Sequence, residues 1–220
     1  MTKIHTPRAI ALDLDLTIHD VIDHYDNTVM ETLKRFNHPG ISIEELQAKV
    51  ETTHSIHDIL AHFLAKDILN EAVQYYIEHF ANISFTKNSI LPGAKELLHL
   101  LKDRFNLPII GITNSDEILA HKILHDLDLF RWFDYVIGLK DGYLPKPDSK
   151  MLLNALENIK TESGPHVWFI GDRASDTLCA KQTNCTAIRF YNKVKPIDNN
   201  AELFVNSHYH LFHIIKSKLE

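Results

Sequence analysis

Residues 9–14, Ala-Ile-Ala-Leu-Asp-Leu, form an almost continuous apolar run after Pro7. An unalternating run of this kind suits a strand covered on both faces, as in a parallel sheet. From Leu91-Pro92-Gly93 onward the pattern switches repeatedly between helix and strand. Leu97, Leu98, Leu101 and Phe105 mark a helix, Pro108 to Thr113 a strand, Glu117 to Leu127 a helix, and Tyr135 to Gly138 a short strand. A helix over Ser149 to Ile159, a strand over Val167 to Ile170, a short helix from Asp176 and a strand over Thr186 to Phe190 follow. Alternation at these lengths predicts β-α-β units, hence an α/β fold: a Rossmann-like parallel sheet core with helices on both faces.

Between the first strand and this series the period changes. Val21, Tyr25, Val29, Leu33 and Phe36 step by three or four, up to a stop at His38-Pro39-Gly40. Ser42 with Glu45 is a capping-box signature, and Ser55 with Asp58 a weaker one. Ile56, Ile59, Leu60, Phe63 and Leu64 form another stripe, and Val73, Tyr76, Ile77 and Phe80 a further one. Residues 18–88 therefore read as an inserted all-α cap domain, with 1–17 and 89–220 as the catalytic core.

Composition narrows the function. The 220 residues are 45% hydrophobic and 24% charged, ordinary values for a globular protein. With 23 Lys and Arg against 29 Asp and Glu, the net charge of −6 argues against a partner held by its phosphate backbone, so no nucleic acid is expected. No apolar run approaches the roughly 18 residues of a membrane span, and no signal-like h-region follows the N-terminal charges. No membrane is therefore expected, and a cytoplasmic location is the default. Cys179 and Cys185 fit neither a paired metal motif nor a redox dithiol. His121 and His125 fall at i and i+4 on a helix, yet lack the Glu of the metalloprotease pattern. They read as a surface or half-buried pair rather than ligands, as do His208, His210 and His213.

In an open parallel sheet ligands bind beyond the carboxyl ends of the strands. The first strand delivers Asp13 and Asp15 there, the second Thr113 and Asn114, the third a loop with Pro145-Lys146-Pro147, and the fourth Gly171-Asp172 followed by Asp176. Taken singly, each has an ordinary explanation: a turn after a strand, a helix cap at Thr113 and Asn114, a surface lysine, acids at a helix start. Capping does not explain Asp13 inside an apolar strand, where an unpaired carboxylate is costly. Together the residues suit phosphoryl transfer. Clustered carboxylates invite a hard divalent cation, a lysine and a hydroxyl can bind phosphate, and one carboxylate is left as nucleophile.

These residues resemble the haloacid dehalogenase-like hydrolase superfamily, and the helical insert resembles the cap of its phosphoglycolate phosphatase-like branch. Asp13-Leu14-Asp15-Leu16-Thr17 looks like its first motif, Thr113-Asn114 its second and Lys146 its third, and Gly171 to Asp176 looks like its fourth. The resemblance implies that Asp13 attacks phosphorus to form an aspartyl-phosphate, while Asp15 acts as acid and then base. It implies Mg2+ held by Asp13, the main-chain carbonyl of Asp15, and Asp172, with Asp176 as a further ligand or a support for one. Thr113, the Asn114 backbone and Lys146 would grip the phosphate.

Asp15 argues against dehalogenation, since haloacid dehalogenases lack the second Asp of the first motif. Thr17 favours hydrolysis over the related sugar-phosphate mutases, which usually have Val there. Leu16 departs from the usual Gly and is expected to alter the turn after the catalytic strand. The leading expectation is a Mg2+-dependent phosphatase of a small phosphorylated metabolite. A phosphomutase or phosphotransferase and a non-catalytic phosphate-binding module are the alternatives. In the segment Glu51 to Ser55, His54 is the candidate for contact with the substrate beyond its phosphate.

Overall fold

The computed structural model describes residues 4–50, 53, 55–191 and 195–220. Six strands form one sheet, all pairs parallel, in the order β3-β2-β1-β4-β5-β6. They are β1 (Ala9–Leu12), β2 (Ile109–Asp116), β3 (Tyr135–Leu139), β4 (Val167–Gly171), β5 (Thr186–Phe190) and β6 (Leu203–Val205). The central strands are fully buried, as their unalternating apolar sequence requires. Alternate residues of β1 serve opposite faces. Ile10 and Leu12 enter one core with Leu97, Leu101 and Leu211, while Ala9 and Ala11 enter another with Met151, Leu152 and Cys179.

Helices cover both faces. On the first lie α5 (Ala94–His99), whose end widens into a π-turn over Leu100–Arg104, and α9 (His208–Leu219). On the second lie α7 (Lys150–Asn158) and α8 (Ala174–Gln182). Between them in sequence, α6 (Glu117–Asp126) links β2 to β3. The fold is thus α/β and Rossmann-like, with the order of strands reversing across β1 and β4, where such sheets bind ligands.

Among the described residues four α-helices stand between β1 and α5: α1 (Ile22–Arg35), α2 (Ile43–Val50), α3 (Ile56–Ala61) and α4 (Lys66–Ala81). Both serines cap their helices. Ser42 Oγ accepts from Glu45 N at 3.1 Å, and Ser55 Oγ accepts from Asp58 N at 3.2 Å and donates to its carboxylate at 2.8 Å. The apolar stripes meet one another: Val29, Leu33, Leu46, Ile59, Leu60, Ala72, Tyr76 and Phe80 are buried in the core that reaches up from the sheet.

Two features depart from the sequence reading. Strand β6 and helix α9 were not apparent from periodicity, because β6 is three residues long and α9 is rich in histidine. His208 is not at the surface but 2% exposed. Its ring nitrogens lie 2.7 Å from the Thr17 carbonyl and 3.0 Å from that of Pro92, tying α9 to the turn after β1. Its burial holds it below the usual histidine range, so the neutral ring donates to one of these carbonyls. His121 and His125 instead pack their rings on Phe130, at centroid distances of 5.0 and 4.3 Å.

Gly138 in β3 sits against the backbone where β2 ends and α6 begins. A Cβ there would lie 2.6 Å from the Ser115 carbonyl oxygen and 2.7 Å from Glu117 Cα. Neither backbone group can rotate away, so Gly138→Ala is expected to destabilise the fold by about 1–3 kcal/mol. The measurement is the urea midpoint, expected to fall with an unchanged m-value.

Candidate active site

Three adjacent strands, β2, β1 and β4, deliver their carboxyl ends to one place. Asp13 follows β1 directly, its N–H donating to the Ile170 carbonyl at 2.9 Å, and is 5% exposed. Thr17 Oγ1 donates to its Oδ2 at 3.1 Å. Lys146, from the loop after β3, is 2% exposed, and its Nζ lies 2.5 Å from Asp13 Oδ1, 2.7 Å from Asp176 Oδ1 and 2.8 Å from the Ile112 carbonyl. An ammonium has three protons, and three protein acceptors surround this one.

Asn114 explains how a loop lysine is held so closely. Its side-chain carbonyl accepts from Lys146 N at 2.7 Å and its amide donates to Lys146 O at 3.2 Å, fixing that residue's backbone from both sides. Neither Thr113 nor Asn114 caps α6. That helix is capped by Asp116, whose carboxylate accepts from Ile118 N and Leu119 N at 2.9 and 3.2 Å. Asp176 does serve its helix start, its Oδ2 accepting from Arg173 N at 2.9 Å while Oδ1 faces Lys146. Gly171 makes room for it, since a Cβ there would come 2.3 Å from Asp176 Oδ2.

Asp15 occupies a different environment, half-buried at the mouth. Its Oδ2 accepts from Thr113 Oγ1 at 3.0 Å and from Ser115 Oγ at 2.7 Å. Ser115 was not anticipated, although it lies two residues beyond Thr113 and strand alternation puts both side chains on one face. His19 is wholly buried with its Nδ1 3.8 Å from Asp15 Oδ1, and burial keeps it below the usual histidine range.

Charge at the site is out of balance. Burial pushes the Asp13 carboxyl well above its ordinary range; Lys146 opposes this, and Asp176, Asp172 and Asp15 add to it. Asp172 is pushed up to about 6, by burial and then by Asp176, against Arg173, Arg189 and Lys146. Burial alone would lower the Lys146 ammonium, but Asp13 and Asp176 hold it above its normal value. Carboxylate oxygens of Asp13, Asp172 and Asp176 all lie within 4.8 Å of one another. An all-oxygen, acidic donor set with only one ammonium among it fits a hard divalent cation.

Arg173 was also not anticipated as a site residue. Its Nη1 donates to the carbonyls of Val50 at 2.9 Å and Thr53 at 3.4 Å, joining the fourth-motif loop to the end of α2. Thr53 and Ser55 line the cleft over Asp13, whereas His54 lies outside the described residues.

Comparison with known proteins agrees with this geometry. The family described as haloacid dehalogenase-like hydrolase matches residues 10–190. A phosphoglycolate phosphatase of Chromobacterium violaceum is 27% identical over 96% of this chain and 97% of its own. Phosphoglycolate phosphatase 1 of Pseudomonas aeruginosa is 27% identical over 90% of this chain and 76% of its own. Among solved structures, CbbY from Rhodobacter sphaeroides in complex with phosphate shares the fold, with a TM-score of 0.81 at 16% identity over 93% of this chain and 96% of that one. The chain belongs to the haloacid dehalogenase-like hydrolases.

The raised Asp172 carboxyl has a consequence for stability. In the unfolded chain an aspartate ionises near about 4. Between that value and about 6 the folded state therefore holds the extra proton. The stabilisation is complete below the lower value and is lost as pH rises through the upper one. Chelator-treated protein is expected to show a urea midpoint that falls from pH 5 to pH 7.5, and Asp172→Asn is expected to flatten that fall.

Proposed function

We propose that this chain is a Mg2+-dependent phosphomonoesterase working through an aspartyl-phosphate on Asp13. The observation that carries it is the pairing of Asp13 with Lys146 at 2.5 Å, both almost wholly buried and beside Asp172 and Asp176. Family membership makes it a hydrolase, and relatives named phosphoglycolate phosphatase, matched along most of their length, support a phosphoric monoester of a small metabolite as substrate.

Each chain residue then has a task. An Asp13 oxygen forms a bond to phosphorus as the ester oxygen leaves, and Asp15 gives that oxygen its proton. Asp15 Oδ2 already accepts two hydroxyl hydrogens, which assigns the transferred proton to Oδ1. In the second half Asp15 takes a proton from water, which attacks phosphorus and frees Asp13 and inorganic phosphate. Lys146 opposes the upward push of burial on Asp13 and sets its direction, and its charge offsets that of the phosphoryl oxygens. Thr113 and the Asn114 backbone would bind the phosphoryl oxygens. Asp13, Asp172, Asp176 and the Asp15 carbonyl would hold Mg2+, which when bound supplies positive charge to the phosphoryl oxygens. Residues 18–88 act as a cap over the cleft, excluding water during the transfer, with Arg173 as its tie to the core.

Two settings of the same assay test this. Phosphate release from p-nitrophenyl phosphate is expected to need Mg2+, to stop with EDTA and to disappear in Asp13→Asn with folding intact by circular dichroism. Asp15→Asn is expected to lower turnover by about 100-fold or more, the usual range for a lost proton donor. Full activity in Asp13→Asn would rule the mechanism out. Transfer of phosphate to a sugar acceptor in place of its release would instead make the chain a mutase.

A further inference from the structure

The cleft above Asp13 encloses about 970 Å3, the open solvent at its mouth included. The walls contributed by the four inserted helices are apolar or aromatic: Tyr25, Val50, Ile56, Ile59, Tyr76 and Phe80. Among the described residues, these helices and their connections bring no lysine, arginine or histidine to the lining. Among the described residues two cations line the cleft, and both belong to the core. Lys146 is surrounded by its three acceptors, and Arg173 donates to the Val50 and Thr53 carbonyls. Asp15, Asp116, Asp172 and Asp176 line the same space. Thr53 and Ser55 also line it, but their hydroxyls donate to the Lys49 carbonyl and the Asp58 carboxylate, so among the described residues a second anion on the substrate would face acids on one side and mostly hydrocarbon on the other.

Tyr76 adds a specific feature. It is 4% exposed, lines the cleft, and makes no hydrogen bond through its hydroxyl to a described residue. Tyr25 stands edge-on to it with ring centroids 5.9 Å apart, and likewise has no described hydrogen-bond partner for its hydroxyl. Burial pushes both phenols up, so both stay neutral. A phenol hydroxyl without a protein partner is available to a ligand, and both residues line the cleft.

We propose that the substrate's leaving alcohol is uncharged and carries a ring-sized apolar body, with the Tyr25 and Tyr76 hydroxyls meeting a polar substituent on that ring. The inference rests on the phosphatase reading above and names its substrate class. Phosphoglycolate, with a carboxylate one methylene from the ester oxygen, is then a poor substrate for this chain.

The experiment compares kcat/KM for phosphoglycolate, benzyl phosphate, 3-hydroxybenzyl phosphate and acetyl phosphate on the full chain with Mg2+. Acetyl phosphate has no body to fill the cleft and so reports the chemistry alone. Benzyl phosphate is expected to exceed phosphoglycolate by at least tenfold, and 3-hydroxybenzyl phosphate to exceed benzyl phosphate. Tyr76→Phe is expected to remove the second preference. Ile56→Lys, at a half-buried position on the cleft wall, is expected to cut the benzyl-to-phosphoglycolate ratio by tenfold or more. A ratio does not depend on the fraction of enzyme that folds. Turnover of acetyl phosphate with phosphoglycolate equal to or better than benzyl phosphate would overturn this inference and leave the phosphatase standing. Turnover of none of the four would overturn both.

Discussion

The ammonium of Lys146, shut in at 2% exposure between two carboxylates and a main-chain carbonyl, is the interaction around which this structure is organised. Such a group is not a source of net stability. Removing charges from water costs several kcal/mol per ion, by rough estimates, and a well-packed apolar replacement is often as stable or more so. Loss of one partner is a different matter, because it leaves an uncompensated buried charge. The cost is therefore carried for what the arrangement does: it holds Asp13 in one orientation against a fixed positive charge, in a place that water barely reaches.

That constraint propagates into the backbone. A loop lysine is held in place only if its own main chain is fixed, and Asn114 does this with two hydrogen bonds from the end of β2. Asp176 faces Lys146 only if β4 ends without a side chain at Gly171. Ser115 and Thr113 hold Asp15 only if β2 continues in extended form past its partner strand, and it does so across a register shift between Ile112 and Asp116. The parallel sheet supplies the common floor. Because β1 lies between β2 and β4, the ends of three strands converge without any long-range adjustment of the chain.

What was legible in the sequence follows from this physics. Parallel strands buried on two faces leave unbroken apolar runs, so β1 to β5 and the helices between them could be read from the order of apolar residues along the chain. The strand-end acids could be read because a carboxylate in an apolar run has no cheap explanation. Asn114 illustrates a limit: its residue type fits a helix cap as well as a clamp on a loop distant in sequence, and only the fold distinguishes them. Arg173 is another case, since its partners Val50 and Thr53 are backbone carbonyls more than a hundred residues away and carry no side-chain signature. The buried state of His208 was hidden for a similar reason. A histidine in a polar-looking helix reads as surface until the two carbonyls it meets are in place.

Leu16 shows how sequence and geometry can disagree about a single position. A glycine there would adopt the left-handed region freely, and its replacement was expected to change the turn. Leu16 instead takes φ of 59°, the left-handed region itself, with its N–H donating to the His19 carbonyl at 2.7 Å. For a residue with a Cβ this conformation costs about 1–2 kcal/mol. The surroundings enforce it: Thr17 N–H and Ile18 N–H both return to the Leu14 carbonyl, and the Thr17 carbonyl meets His208. The turn is thus determined by its neighbours rather than by the residue at its apex. Leu16 lines the cleft together with Asp15. Leucine at this position therefore brings a hydrocarbon residue into a lining that is acidic towards the strand ends and largely apolar towards α1 to α4, so the turn after β1 stands at the border between the two.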